Sequence, residues 1–428
     1  MKAKWIIAGA GVLVFAGAMP WAVGYVTEQQ WQEVTRELNQ AQPFVQMQTD
    51  HYDRGFFGSE LGGVVTVLNP ESGETRPIAY RAKVTHGVTG SFIDFKPVEG
   101  WAPEGANWFQ ERPRLTLETR LWGTAVLELE APAIAINNPE SGESLRTSGG
   151  VARIEISDAG SQAEALVVWP QLSFSGPDMS MRIDDLRVEH KMTHLEGDIW
   201  TGTAEASMAS VALKSPEAQP LTIEGLRAHS SAEADADGQR LNSGLSIEAG
   251  KVRYKDQAYG PHKVVFALEN LDVASWSALT TSMAELQGMA LAPDADSQGA
   301  FERQIAAMGA VNTAARDLSA AGFSVGLPEL VLDTPEGKVT GNLMITHPEL
   351  SADQKAEMLM VMQQLTGEMN LSVPLVLAEN YPAVRMQLAP LIKQGFLVPE
   401  GDRLVLAARL NDMVVDVNGQ EIPLPPLF

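Results

Sequence analysis

The chain has 428 residues, 45% of them hydrophobic, which is ordinary for globular proteins and on length alone allows about two to four domains. Lysine and arginine number 31 against 54 aspartates and glutamates, a net charge of -23, and no basic run offsets it, so a nucleic-acid partner is not expected. With no cysteine at all, disulfides and thiolate metal sites are excluded, although the redox compartment is not thereby revealed.

The first element is the stretch WIIAGAGVLVFAGAMPWAVGYV at residues 5–26, which carries no charge. As a helix rising about 1.5 Å per residue it would be roughly 33 Å long, close to a bilayer core of about 30 Å. Lys2 and Lys4 precede it, whereas Glu28, Glu33 and Glu37 follow, so the positive-inside rule keeps the N-terminus cytoplasmic and sends the rest across the membrane. Trp5 at one end, with Trp21 and Tyr25 at the other, would mark the two interfaces. Ala16-Gly17-Ala18 resembles a signal-peptide cleavage site, but Pro20 lies just beyond it and the apolar run continues, which favours an uncleaved anchor. Gly9, Gly11 and Gly17 inside the span form neither a nucleotide loop nor a G-x-x-x-G pairing motif.

Residues 27–42 predict a juxtamembrane helix. Thr27 and Gln30 suit a capping box, Trp31, Val34, Leu38 and Ala41 share a face, and Pro43 ends it. The same residues also suit a continuation of the membrane helix. From residue 43 to 271 the period changes to two. In RLTLETRLWGTAVLELE, Leu115, Leu117, Leu121, Ala125, Leu127 and Leu129 fall on one face, while Glu118, Arg120, Glu128 and Glu130 fall mostly on the other. That is the mark of antiparallel strands with one face buried and one wet. Asn69-Pro70, Asn138-Pro139, Asp237-Gly238 and Asn418-Gly419 read as turns, and NPESGE occurs twice, at residues 69–74 and 138–143.

Residues 272–428 predict a helical insertion followed by closing strands. Asp272 caps a helix bearing Trp276, Leu279, Met283 and Leu286 on one face. A second carries Phe301, Ile305, Met308, Ala315 and Leu318 and ends at Gly322. Ser351 and Gln354 open a third with Met358, Met362 and Leu365. The methionines read as core filling. Val339, Gly341, Leu343 and Ile345 mark a strand between the second and third helices. The fold class is therefore mainly β (α+β): a transmembrane helix, an extended antiparallel sheet region and a C-terminal helical insertion.

Three patterns imitate functional sites. Gly322-Phe323-Ser324-Val325-Gly326 matches G-x-S-x-G, with Asp333 and His347 following in hydrolase order. A nucleophile elbow runs strand to serine to helix, however, and here the order is reversed: Gly322 caps the preceding helix and Pro328 starts an extended stretch. His190 and His194 form H-x-x-x-H, but in a strand-like setting they would lie roughly 13 Å apart, too far for one metal. Glu233, Asp235, Asp237 and Gly238, and again Asp294, Asp296 and Gly299, resemble calcium loops, yet Gly244 and Ile305 stand where the bidentate acid belongs. No catalytic, cofactor-binding or metal residue is assigned, and no cofactor is expected.

One further motif is specific. Tyr52-x-Arg54-Gly55-x-Phe57-x-Ser59, within HYDRGFFGSE, resembles the Tyr-x-Arg-Gly-x-Phe-x-Ser signature of the YdgA-like family, a bacterial domain of unknown function (domain of unknown function nine-four-five). Thr85-His86-Gly87, the stretch ALENLDVASW ending at Trp276, and Val417-Asn418-Gly419-Gln420 keep the family's order, although Val88 stands where relatives tend to carry proline. The resemblance spans essentially the whole chain and agrees with the N-terminal membrane span. It implies no reaction and no catalytic residues. Read structurally, Gly55 would supply a positive-φ bulge, Tyr52 and Phe57 would pack, and Arg54 would pair with an acid; read functionally, Arg54 would centre a recognition patch. The expectation is a single-pass protein of the bacterial inner membrane, its bulk periplasmic, that binds a lipid or partner protein of the envelope without catalysis. A ligand-free scaffold is the rival, a serine hydrolase acting through Ser324 is the remoter alternative, and homo-oligomerisation stays open.

Overall fold

A computed structural model describes residues 2–41, 44–68, 74–98, 111–139, 141–197, 199–255, 257–290, 298–357 and 364–424, with side chains of the first helix at residues 19–36, 38 and 39. The described chain is mainly β, as the period-two pattern predicts: 23 antiparallel strands and a few helices. It divides into two compact units, at residues 1–191 and 192–428.

The first unit begins with one helix, α1 (Lys2–Ala41), so the predicted anchor and juxtamembrane helix are continuous. Then follow β1 (Val45–Arg54), β2 (Gly58–Leu68), β3 (Thr75–His86), β4 (Gly90–Pro97), β5 (Arg114–Arg120), β6 (Ala125–Ala131), β7 (Ile134–Asn138), β8 (Glu143–Thr147), β9 (Gly150–Ser157), β10 (Gln162–Ser175) and β11 (Ser180–Glu196). β1 to β6 pair in sequence, β9 joins β6, and β10 pairs with both β9 and β8. Leu115 pairs with Leu129 and Leu117 with Leu127, as the alternation predicts, but Leu121 lies in the hairpin turn. The unit's core is Trp31, Leu61, Tyr80, Ala82, Val84 and Ile93: one side of a sheet closed by the second half of α1.

This packing alters the expected anchor. Pro20, Val23 and Gly24, inside the predicted span, are buried, and Val23 is 1% exposed. Thr27 is no helix cap; it sits mid-helix and donates to the Val23 carbonyl at 2.8 Å. Among the described residues, no helix is long and apolar enough to cross a membrane.

The second unit holds β12 (Ile199–Lys214), β13 (Leu221–Ala234), β14 (Arg240–Tyr254), β15 (Gln257–Tyr259) and β16 (His262–Asp272). These precede α2 (Val273–Ala290), α3 (Gln298–Ala320), β17 (Phe323–Thr334), β18 (Gly337–His347), α4 (Ala352–Glu357) and β19 (Thr366–Pro374). The chain continues with α5 (Leu375–Asn380), α6 (Pro382–Lys393), β20 (Val398–Glu400), β21 (Arg403–Asn411), β22 (Val414–Val417) and β23 (Gln420–Pro423). Strands give way to helices at Asp272, whose Oδ1 accepts the Ser275 N–H at 2.8 Å, the predicted cap. Ser351 and Gln354 form the predicted reciprocal capping box. Gly322 ends the α2–α3 pair at φ +83°, a left-handed conformation that glycine takes without strain.

The predicted core face of α3 is buried only toward its end, at Leu318. Phe301, Ile305 and Met308 are exposed, whereas Ala307, Ala314 and Leu318 are buried; Met283 on α2 is exposed too. Small residues such as Ala307 and Ala314 bring the helix close to its neighbours, and Phe301, Ile305 and Met308 stand on the opposite side. Two clusters fill this unit's core. One sits where α2 and α3 meet the sheet (Ile199, Leu241, Leu271, Val273, Leu318), the other where α5 and α6 do (Val373, Ala378, Leu397, Leu404). Met358, Met362, the first NPESGE copy through residue 73, Asp294 and Asp296 lie outside the described residues.

Candidate functional site

The signature motif occupies the β1–β2 hairpin. Arg54 pairs with Ser59, and the turn is closed by a 2.8 Å bond from Gly55 N–H to the Gly58 carbonyl. Gly55 does not take a positive φ. A Cβ there would meet the Gly58 oxygen at 2.6 Å, so glycine is needed for close approach rather than for a bulge. Phe57 does not pack inward but is 68% exposed, edge-on to Phe56 at 4.8 Å. Tyr52 packs against the core, and burial raises its phenol above the ordinary range.

Arg54 finds its acid in α1, 3.3 Å from Glu28. Trp21 and Tyr25, one helical turn apart, hold their rings 5.4 and 5.3 Å from the guanidinium, a double cation–π contact. Beside it, Ser59 Oγ lies 2.7 Å from His86 Nε2, His86 Nδ1 is 2.9 Å from Ser91 Oγ, and Ser91 Oγ is 2.7 Å from Thr27 Oγ1. All four residues are buried. His86 comes from Thr85-His86-Gly87, the second stretch of the resemblance, so two distant motifs meet under one helix. A turn further along, Trp31 Nε1 donates to Thr49 Oγ1 at 2.9 Å, and Asn39 holds the Met47 backbone by two bonds.

The family follows from the chain-long match to this pattern. A family model described as bacterial protein of unknown function, DUF945, matches residues 1–425. The chain belongs to the DUF945 family. No curated protein and no solved structure matches it.

In this DUF945 member the serine–imidazole–serine chain has the parts of an acid–base relay, but helix α1 covers it. With the helix seated, Ser59 and His86 are buried, and the chain of hydrogen bonds ties α1 to the sheet through Thr27. Burial, with Arg54 close by, pushes the His86 imidazole below its ordinary range. A depressed histidine binds its proton more weakly folded than unfolded. Its contribution is therefore complete above about pH 6.5 and is lost as pH falls from there through the folded value. Thermal unfolding between pH 7.5 and 5 should show this slope, and His86→Asn should flatten it; equal slopes in both proteins would assign the effect elsewhere.

The other sequence candidates do not assemble. Ser324 lies on β17 and bonds Thr346 Oγ1 across the ladder at 2.9 Å. His347 pairs with Phe323, so its ring stands on the opposite face from Ser324. Asp333 is nine strand positions on, roughly 30 Å away, beside Lys338. The strand begins at Phe323, not at Pro328. Ser324, Asp333 and His347 are therefore not brought together as a triad. His190 and His194 lie on β11, a strand as expected, and His194 Nε2 meets the Gly197 carbonyl at 2.7 Å. Asp235 closes the β13–β14 turn, accepting backbone N–H bonds from Arg240 and Gln239 that lower its carboxyl pKa. Among the described residues no cluster of three or more histidines and acids could hold a metal.

A second feature lies in the sheet of the second unit. Across the paired strands runs the row Ala206, Ala228, Ile247, Val264, Leu330, Gly341, Leu371, Leu406, with Leu245, Phe266 and Val325 on the same face. Mid-sheet it is uncovered: Ile247, Phe266 and Val325 are 36%, 41% and 40% exposed. The opposite face carries Glu205, Arg227, Glu248 and Lys263, with a Lys263–Glu329 ion pair at 2.8 Å. The alternation is legible in the sequence, but which face lacks a lid is not, because a groove and a core share one period.

Proposed function

We propose that this protein is a membrane-anchored, periplasmic, non-catalytic envelope protein that holds an acyl chain of a lipid against the open apolar face of its second unit. The observation that carries this reading is that row from Ala206 to Leu406. A soluble sheet of this kind ordinarily buries its apolar face, and this one leaves large aliphatic and aromatic side chains half in water. The anchor reading rests on the uncharged run before Met19 with Lys2 and Lys4 ahead of it, and on the chain's acidic remainder.

The test is lipid capture by the full chain. After purification from membranes, wild type should carry extractable phospholipid and take up phosphatidylethanolamine bearing a fluorescent acyl chain. Ile247→Glu combined with Val264→Glu places carboxylates in the row, and uptake should weaken about tenfold or more, because an unpaired carboxylate against an acyl chain costs more than 1.4 kcal/mol. Equal uptake by the two proteins would refute the lipid reading, and no uptake by either would leave the ligand-free scaffold.

A further inference from the structure

Three alternate hairpin turns of the first unit, β1–β2, β3–β4 and β5–β6, lie at one end of its sheet. Register places them there: Arg54 opposite Ser59, Gly58 opposite Thr85, His86 opposite Ser91, Gly90 opposite Arg120, Thr119 opposite Ala125. Backbone bonds from His86 N–H to the Phe57 carbonyl and from Leu121 N–H to the Thr89 carbonyl join neighbouring tips. At about 4.8 Å per strand the row is roughly 20 Å wide. Its exposed side chains are Phe56, Phe57, Val88, Leu121 and Trp122, the last 61% exposed. Residues 55–57, 87–89 and 121–124 include no charged side chain, in a chain where 20% of residues are charged. The next turn along, beginning at Asp158, ends the apolar row.

The cations at this rim are arginines held on aromatic rings. Arg54 lies over the rings of Trp21 and Tyr25, Arg120 lies 6.0 Å over Trp122, and each is also paired with a glutamate. Aromatic rings beside arginine match the chemistry of a membrane–water interface.

The course of α1 says which partner this rim meets. Asn39 contacts Met47 at the far end of β1, Trp31 contacts Thr49 and Tyr80, Thr27 contacts Ser91, and Tyr25 and Trp21 reach Arg54. The helix therefore leaves the sheet at the end bearing the tips. From Trp5 to Met19 the uncharged part is about 22 Å long, short of a core of about 30 Å. A span this short brings its attached unit down onto the bilayer.

We infer that the hairpin tips around Phe57, Val88 and Trp122 seat in the outer interface of the lipid bilayer, making the first unit a platform held flat against the membrane. This rests on the anchor reading, and the test separates the two. The chain has no native cysteine, so one introduced thiol is labelled uniquely. Phe57→Cys, Trp122→Cys and Thr75→Cys, the last at the far end of β3 about 36 Å from His86, are each labelled with an environment-sensitive fluorophore. The full chain is then reconstituted into vesicles of phosphatidylethanolamine and phosphatidylglycerol containing nitroxide lipids. Flotation with the vesicles reports the anchor. Quenching at positions 57 and 122 should exceed that at position 75 roughly 3-fold, because groups about 5–10 Å deep meet the nitroxides directly. Flotation with equal, weak quenching at all three positions overturns the platform while leaving the anchor standing. A chain that stays with the aqueous fraction overturns both.

Discussion

Trp31→Ala is expected to destabilise the first unit by about 3–5 kcal/mol, the cost of emptying a large aromatic site in a core that cannot collapse around it. The indole is 7% exposed and, among the described residues, is the side chain that α1 contributes to the buried cluster with Leu61, Tyr80 and Ile93. Its ring centroid lies 6.5 Å from Tyr80 and 5.7 Å from Phe95, both tilted, so the loss includes aromatic contacts beyond buried area. Its N–H also satisfies Thr49 Oγ1, which in turn lies 3.2 Å from the Tyr80 hydroxyl. Chemical denaturation with hydrogen exchange checks the prediction. Amides of α1 beyond Met19 and of β1 to β4 should lose protection, and those of β12 to β19 should keep it. A loss under 1 kcal/mol, or exchange rising equally everywhere, would mean that the helix does not hold this core.

That helix also marks the limit of what the sequence discloses. Its helical face reads as Trp31, Val34 and Leu38, but Val34 is 57% exposed and the docked face is Val23, Thr27 and Trp31, four residues apart. Periodicity marks Trp31 but misses Thr27, because that docked position is polar and its partner Ser91 is 64 residues away. Local chemistry was readable where both partners were near in sequence. The Asp272 cap, the Ser351–Gln354 box and the glycine end of α3 are all short-range. The signature was recognisable as a set, and Arg54's need for an acid was foreseen. Which acid, and that His86 would lie beneath the same helix, depends on strand register that no single segment encodes. Phe57 shows the converse: an aromatic in a signature reads as core, whereas its place at a hairpin tip turns it to solvent.

Gly24→Ala should destabilise the first unit by about 1–3 kcal/mol, against the direction set by helix propensity. In a free helix the change favours folding by about 1 kcal/mol, since alanine loses less backbone entropy than glycine. Here a Cβ would stand 2.8 Å from His86 Nε2 and 2.9 Å from Cδ2. The ring cannot swing aside, because Ser59 holds one nitrogen at 2.7 Å and Ser91 holds the other at 2.9 Å. Moving the imidazole breaks both bonds within a buried site, and moving the helix loosens Thr27 and the Arg54 contacts. Overpacking therefore outweighs propensity. The double mutant decides the cause: with His86→Ala removing the ring, Gly24→Ala should become neutral or stabilising, a change of sign that general helix effects cannot produce. If Gly24→Ala stabilises the wild-type background as well, then the helix does not rest on His86, and the buried Ser59–His86–Ser91 chain is not what fixes α1 to the sheet.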